Sequence, residues 1–436
     1  MLDGSKKLQC SRKISEKISE VITSGANSPG RLFRDVETPI IIADKAKGSI
    51  IQDVDGNEYI DYMMGLGPNI LGHSPDIVSS TLESQIKNGA VFGINCKYEY
   101  ELASRLVNAV SHVDEIRFTC SGTEAVMTAI RVARAYTNRP YILKFRGGYH
   151  GHSDGLLTHA TKSAVRNNPL SMRDGIADVV RNATLMSRYN DETMVCEIFK
   201  ENGANIAAVI VEPVATNMGL ILPDVSFLGA LRKCCDEAGA VLIFDEVVSG
   251  FRCSYGAVSD ELGVIPDLTT FGKVIGGGLP VGAYGGRREL MKQVGTNGGV
   301  FQGGSFAGNP LTMVAGVAAL DELSSGHLLD NTKLLVEYFC QRTREKFEAY
   351  GIPFGIQSYG TMATYIFNSD MKSLRNFDDV ELQNSDLFAK FHRRMAERGV
   401  LFAPTIEEPI FFSTVHTKEQ IDLTVDLSVE ILSSII

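Results

Sequence analysis

The chain has 436 residues, more than one ordinary domain holds, so a large domain with a smaller companion is expected. Its 44% hydrophobic and 22% charged residues are the make-up of a globular protein and exclude a disordered or fibrous one. A net charge of −10 with no long basic run argues against a nucleic-acid or anionic-membrane partner, and no stretch reaches the ~18 apolar residues of a membrane span.

Taken in order, Lys6 to Ile22 alternates charge with apolar residues and predicts an amphipathic helix without a signal-peptide core. Ser24 to Gly30 is a loop. Ile40–Ala43 and Ser49–Tyr62 read as strands, the second broken by a hairpin turn at Asp55-Gly56-Asn57. Helices are expected from Asp76 to Asn88 and from Tyr98 to Val110.

From residue 115 short apolar strands alternate with helical patterns. The strands are Glu115–Thr119, Tyr141–Phe145, Ala207–Val211, Val241–Phe244, Asp267–Thr270 and Val281–Tyr284; helices include Glu124–Tyr136 and Val225–Ala238. Such alternation predicts an α/β domain with a mainly parallel sheet. After residue 312 come a long helix, a strand near Ala363–Phe367, a helix Asp379–Arg398, two short strands and a terminal helix. This reading divides the chain into an N-terminal segment (1–75), a large α/β domain (76–311) and a small α+β domain (312–436), which the N-terminal segment joins.

Eight cysteines without a CxxC pair or regular spacing predict reduced thiols in a cytoplasmic protein. His150-Gly-His152 is the only close histidine pair. No ligand-rich segment accompanies it, so no metal site is expected.

Several strand ends carry candidates for chemistry. Lys273 stands among apolar residues and glycines in Phe271-Gly-Lys-Val-Ile-Gly-Gly-Gly278, and a desolvated lysine amine can attack a carbonyl. Val274 after the lysine rules out a Walker-type phosphate loop, and the glycines lack the GxGxxG spacing of a dinucleotide site. Asp245 ends the apolar run Val241–Phe244, where a carboxylate needs a partner; Arg252 is one structural candidate. Thr119-Cys-Ser-Gly-Thr123 lies between a strand and a helix. It suits either a phosphate, held by glycine backbone, hydroxyls and a helix N-terminus, or a simple Ser121 cap. Tyr149 in Gly147–His152 could lie flat on a cofactor ring, and Glu212 and Asn217 follow another strand. A lysine and a buried aspartate are the minimum for pyridoxal phosphate, which needs a covalent amine partner and a counter-ion for its ring nitrogen.

With Asp245-Glu-Val-Val-Ser-Gly-Phe-Arg252 and Pro266 to Arg287, the chain resembles the class III (ω-) aminotransferases, over about residues 25–412. Within them it is most similar to the glutamate-1-semialdehyde 2,1-aminomutases. The resemblance implies PLP fold type I (aspartate-aminotransferase-like). It also implies pyridoxal 5'-phosphate as cofactor, passing through its pyridoxamine form during turnover. Lys273 would bond the cofactor and shuttle the substrate proton, and Asp245 would pair with the ring nitrogen. Ser121, Gly122 and Thr123 would bind the phosphate and Tyr149 would stack on the ring. Asn217 would reach the ring hydroxyl, with His150, Glu212 and Val247 as further cofactor contacts. Gly304–Pro310 matches the segment by which a second subunit completes the phosphate site, with Ser305 where threonine is usual. A homodimer with shared active sites is thereby implied.

At the substrate end, Asn27-Ser-Pro-Gly-Arg31 matches a loop whose arginine holds the substrate carboxylate, a task suited to a planar guanidinium. Ser28, Arg31, Leu66, Ser163 and Glu408 are the substrate contacts implied. Leu66 replaces the usual tryptophan, and the chain contains none. Val248 replaces a methionine. The lid that follows His150-Gly-His152, over 158–185, is richer in charge and poorer in glycine than its counterparts. These departures leave open an aminotransferase that uses an external amino donor.

Overall fold

The computed structural model describes residues 8–36, 38–157, 175–296 and 298–436. The chain divides into two compact units: Met1–Pro75 with Leu328–Leu374 and Asp378–Ile436, and Asp76–His327 with Arg375–Phe377. In chain order β1 is Ala43–Lys47, β2 Ile50–Asp53 and β3 Glu58–Asp61. The second unit contributes β4 (Glu115–Thr119), β5 (Tyr141–Phe145), β6 (Thr184–Ser187), β7 (Ile206–Val211), β8 (Val241–Glu246), β9 (Leu268–Gly272) and β10 (Gly282–Gly286). Last come β11 (Gly355–Tyr359), β12 (Met362–Ile366), β13 (Val400–Leu401) and β14 (Ile410–Phe411).

In the second unit the strands form one seven-stranded sheet in the order β4-β10-β9-β8-β7-β5-β6. β6, β5, β7, β8 and β9 run parallel, while β10 is antiparallel to both β9 and β4. Every residue of β7, β8 and β9 is buried, as the continuous apolar runs of a parallel sheet covered on both faces require. Gly282 pairs with both Thr119 and Gly272, so β4 and β9 end at the same sheet edge. That edge, at the carboxyl ends of the parallel strands, is where α/β sheets gather ligands.

The first unit holds a four-stranded sheet, β1-β2-β3-β13, and a three-stranded one, β11-β12-β14. Its core is aromatic: Tyr365 packs against Phe339, Phe347, Phe367, Phe391 and Phe402. The Asp55 carboxylate caps the first helix, Gln9–Val21, accepting from the backbone N–H groups of Cys10 and Ser11.

Some expected elements differ. The strand at Ile40–Ala43 forms instead at Ala43–Lys47, where β2 supplies an antiparallel partner. The helix expected over 379–398 is two, Phe377–Glu381 and Ser385–Glu397, because the Asn384 side chain caps a fresh start by accepting from Leu387 N–H. The helix Pro310–Leu323, capped by Asn309, belongs to the second unit, which runs on to His327.

Candidate active site

Asp245 is the penultimate residue of β8, 4% exposed, and three donors converge on its carboxylate. Thr270, its register partner on β9, donates Oγ1–H to Oδ1 at 3.1 Å. Val247 N–H donates to Oδ1 at 3.1 Å, and His150, buried itself, donates from Nδ1 to Oδ2 at 2.8 Å. An ionised carboxylate offers about four acceptor directions. Three are used within the chain, leaving one for a donor from outside. His150 is the basic side chain described against Asp245, the place that Arg252 was a candidate to fill.

Glu212 follows β7 and is fully enclosed. Its Oε2 accepts from Thr216 N–H, Thr216 Oγ1 and Asn217 Nδ2 at 2.6–3.0 Å. Its Oε1 is buried with no partner among the described residues. Burial pushes this carboxyl group above the usual carboxylate range; His150 opposes the shift and Asp245 adds to it. Tyr189 Oη shares its one proton between the carbonyls of Glu212 and Pro213, at 3.1 and 3.0 Å, and holds the turn.

Where β4 ends, Ser121 accepts from Glu124 N–H at 3.2 Å and caps the helix Gly122–Thr137, the simpler of its two expected roles. Two glycines permit close approach here. A Cβ on Gly122 would lie 2.9 Å from Val247 Cγ1. One on Gly151, at φ +85°, would lie 2.6 Å from Thr123 Oγ1 and 2.7 Å from its Cα. The 147–152 loop therefore seats directly on the helix start. His152 adds a hydrogen bond between Nδ1 and Thr123 Oγ1 at 3.2 Å. Tyr149, next in the loop to His150, is 38% exposed.

Lys273 leaves β9 at φ +48° and opens the short turn Lys273–Gly276. A side-chain-bearing residue in left-handed backbone is costly, and such residues cluster where function holds them. Val247 packs against Gly272 as well as Gly122. One run of contacts thus joins Lys273's own segment to the start of the helix, to Asp245 and, through His150, to the 147–152 loop.

Four of the expected substrate contacts, Ser28, Arg31, Leu66 and Glu408, lie in the first unit. Arg31 is exposed in the turn Pro29–Leu32, whose backbone closes on Ser28 O. Leu66 sits in a run of left-handed backbone: Met64 (φ +45°), Gly65 (+65°), Leu66 (+63°) and Gly67 (+114°). Buried Asp61 braces that run. It accepts from Met63 and Met64 N–H and from His73 Nε2 at 2.7 Å, while His73 Nδ1 meets Asn69 Nδ2 at 3.3 Å. Glu408 is half-buried beside the buried Glu407. Ser163 lies outside the described residues. Ser305, in the second unit, is exposed in the turn before Asn309.

Thr270, Asp61 and His73 were given no role in the sequence reading, and His152 was read only as one of a histidine pair. Thr270 reads as an ordinary strand residue, and only the β8–β9 register shows that it faces Asp245. No helix among the described residues is long and apolar enough to cross a membrane, no metal-ligating cluster occurs among them, and all eight cysteines are free.

A model of the class-III aminotransferase family matches residues 33–435. The chain is 42% identical to glutamate-1-semialdehyde 2,1-aminomutase of Persephonella marina, covering 96% of this chain and 97% of that protein. It is 43% identical to glutamate-1-semialdehyde 2,1-aminomutase 2 of Lachnoclostridium phytofermentans, over 95% and 97%. Among solved structures it superposes on an omega-transaminase from Sphaerobacter thermophilus with a TM-score of 0.89 and 30% identity, over 99% and 98% of the two chains. With the two carboxylates, the glycine-lined helix start and the strained lysine at one edge of a parallel sheet, these matches establish that the chain belongs to the class-III aminotransferase family.

Proposed function

We propose that the chain is a pyridoxal-phosphate-dependent enzyme that moves an amino group within glutamate-1-semialdehyde, or a close analogue, to give 5-aminolevulinate. The observation that carries the reading is the Asp245 carboxylate, buried, held by three donors and one acceptor direction short of saturation. A protonated pyridine nitrogen suits that direction. Glu212 Oε1, buried and unpartnered among the described residues, and the Thr123 hydroxyl in the first turn of the helix Gly122–Thr137 suit the ring's polar substituents and its phosphate. The donor set therefore fits the cofactor. When bound, the cofactor acts as the electron sink for a carbanion at the substrate carbon.

Lys273 Nζ is proposed as the covalent anchor and as the group that moves the substrate proton. Asp245 would pair with the protonated ring nitrogen, and Thr270, Val247 and His150 aim its carboxylate. Arg31 is proposed to hold the substrate carboxylate, and Ser28, Leu66, Ser163 and Glu408 are proposed as further substrate contacts. A homodimer is proposed in which Ser305 reaches the phosphate site of the other subunit. The exposed Phe301 (81%) and Phe306 (61%) flanking Ser305 support a covered face there. No basic run or apolar span argues for another compartment than the cytoplasm.

Leu66 in place of tryptophan, and the likeness to an omega-transaminase, favour a second reading: transfer to or from an external amino donor. Purified enzyme given glutamate-1-semialdehyde and no donor distinguishes the two. The aminomutase reading predicts 5-aminolevulinate in stoichiometric yield; product that forms only after an amine is added would replace it with the second reading.

A further inference from the structure

Two thiols outside the site stand against each other. Cys196 lies on the helix Glu192–Asn202, exposed, and Cys234 on the neighbouring helix Val225–Ala238, buried, with their Sγ atoms 3.9 Å apart. The first helix feeds β7, which Glu212 follows; the second feeds β8, which carries Asp245. Of the eight cysteines, these two alone are described in sulfur–sulfur contact.

We propose that Cys196 and Cys234 form a reversible oxidation site for hydroperoxides, with Cys196 as the sulfur attacked and Cys234 as the resolving thiol. Exposure assigns the first role. The peroxide reaches Cys196 from solvent, whereas Cys234 is covered by its helix pair.

The Cys196 thiolate takes the distal peroxide oxygen, giving a sulfenic acid and releasing one molecule of alcohol or water. Cys234 sulfur then attacks the sulfenic sulfur, the S–O bond breaks, and the oxygen leaves as water with the thiol proton. Two thiols and one hydroperoxide thus become one disulfide, one alcohol (or water) and one water. The sulfurs must close from 3.9 Å to the ~2.05 Å of a disulfide, a side-chain movement. Burial first, and the neighbouring Cys196 second, push the Cys234 thiol up to about 11. Conversion of Cys196 to a neutral sulfenic acid removes the second influence, so Cys234 becomes a readier nucleophile once there is something to attack.

The test uses full-length holoenzyme exposed to hydrogen peroxide, then peptide mapping without reduction. One dithiothreitol-reversible link between the Cys196 and Cys234 peptides is expected, lighter by two hydrogen atoms. In Cys234→Ser, dimedone should label Cys196; in Cys196→Ser, Cys234 should stay reduced through the same exposure. Cys196 advancing to sulfonic acid in the wild type without a link would overturn the proposal. So would a link from either cysteine to Cys10, Cys96 or Cys120, or oxidation of Cys234 at the wild-type rate in Cys196→Ser. The wild-type map decides the question even where a variant folds poorly.

Discussion

Gly151→Ala tests how the cofactor's phosphate end is built. At φ +85° an alanine pays roughly 1–2 kcal/mol for left-handed backbone. Its Cβ would also stand 2.6 Å from Thr123 Oγ1, 2.7 Å from Cα and 2.9 Å from Cβ, all well inside contact distance. Because one of those atoms is the backbone of a helix start, a rotamer change cannot relieve the clash. The loop or the helix must shift, at a cost typical of overpacking, about 1–3 kcal/mol. The sum, roughly 2–5 kcal/mol, falls on the two segments proposed to bind the cofactor. Expressed wholly in affinity, it weakens pyridoxal phosphate binding roughly 30-fold to several-thousand-fold. Fluorescence titration of the apoenzyme with the cofactor measures this, and thermal unfolding of the apoenzyme captures any part lost to stability. Gly155→Ala is the control, since its Cβ would meet only Thr184 Oγ1 at 3.6 Å and Val180 Cγ1 at 3.7 Å, ordinary contacts. If Gly151→Ala bound and unfolded like Gly155→Ala, the described seating of loop on helix would be wrong.

Thr270→Val keeps the shape but removes a donor to a buried carboxylate, a loss of about 1.5–3 kcal/mol, so kcat/KM should fall roughly tenfold or more; an unchanged value would remove Thr270 from the site. Glu246 accepts from Val258 N–H and Ser259 N–H, and burial raises its pKa from 4.5 to about 8. The folded chain therefore holds a proton that the unfolded chain releases near 4.5. The associated stability is complete below that pH and is lost as pH rises through about 8, to the order of 5 kcal/mol. Glu246→Gln should flatten this slope in urea unfolding between pH 5 and 9, and slopes parallel to wild type would refute the assignment. His73→Ala removes the imidazole that pairs with Asp61 beneath the Leu66 turn. It should raise KM for the substrate while leaving the cofactor spectrum unchanged; a wild-type KM would separate that turn from substrate binding.

The elements with strong local patterns were readable from residues alone. β4 and β5 and the helix Val225–Ala238 have the limits their apolar runs suggest, and Asp245 stands out because a carboxylate at the end of such a run demands donors. The donors themselves were not readable. His150 is 95 residues from Asp245 in sequence, and Thr270 acquires its role only from strand register. β6 has no long apolar run to announce it; pairing with β5 makes it a strand. Asn384-Ser385-Asp386 did carry a helix-start signal, yet the amphipathic pattern on both sides masked the break. The Leu66 turn shows the same limit: its glycines mark a turn, but only Asp61, braced by His73, explains how Met64 is held in left-handed backbone.

The account stands most directly on Lys273 as the covalent anchor. Holoenzyme reduced with borohydride and digested should yield a single pyridoxyl-bearing peptide, the one containing Lys273, and Lys273→Ala should yield none while still binding the cofactor reversibly. A pyridoxyl group on another lysine, such as the buried Lys144, or on none in the wild type, would contradict it.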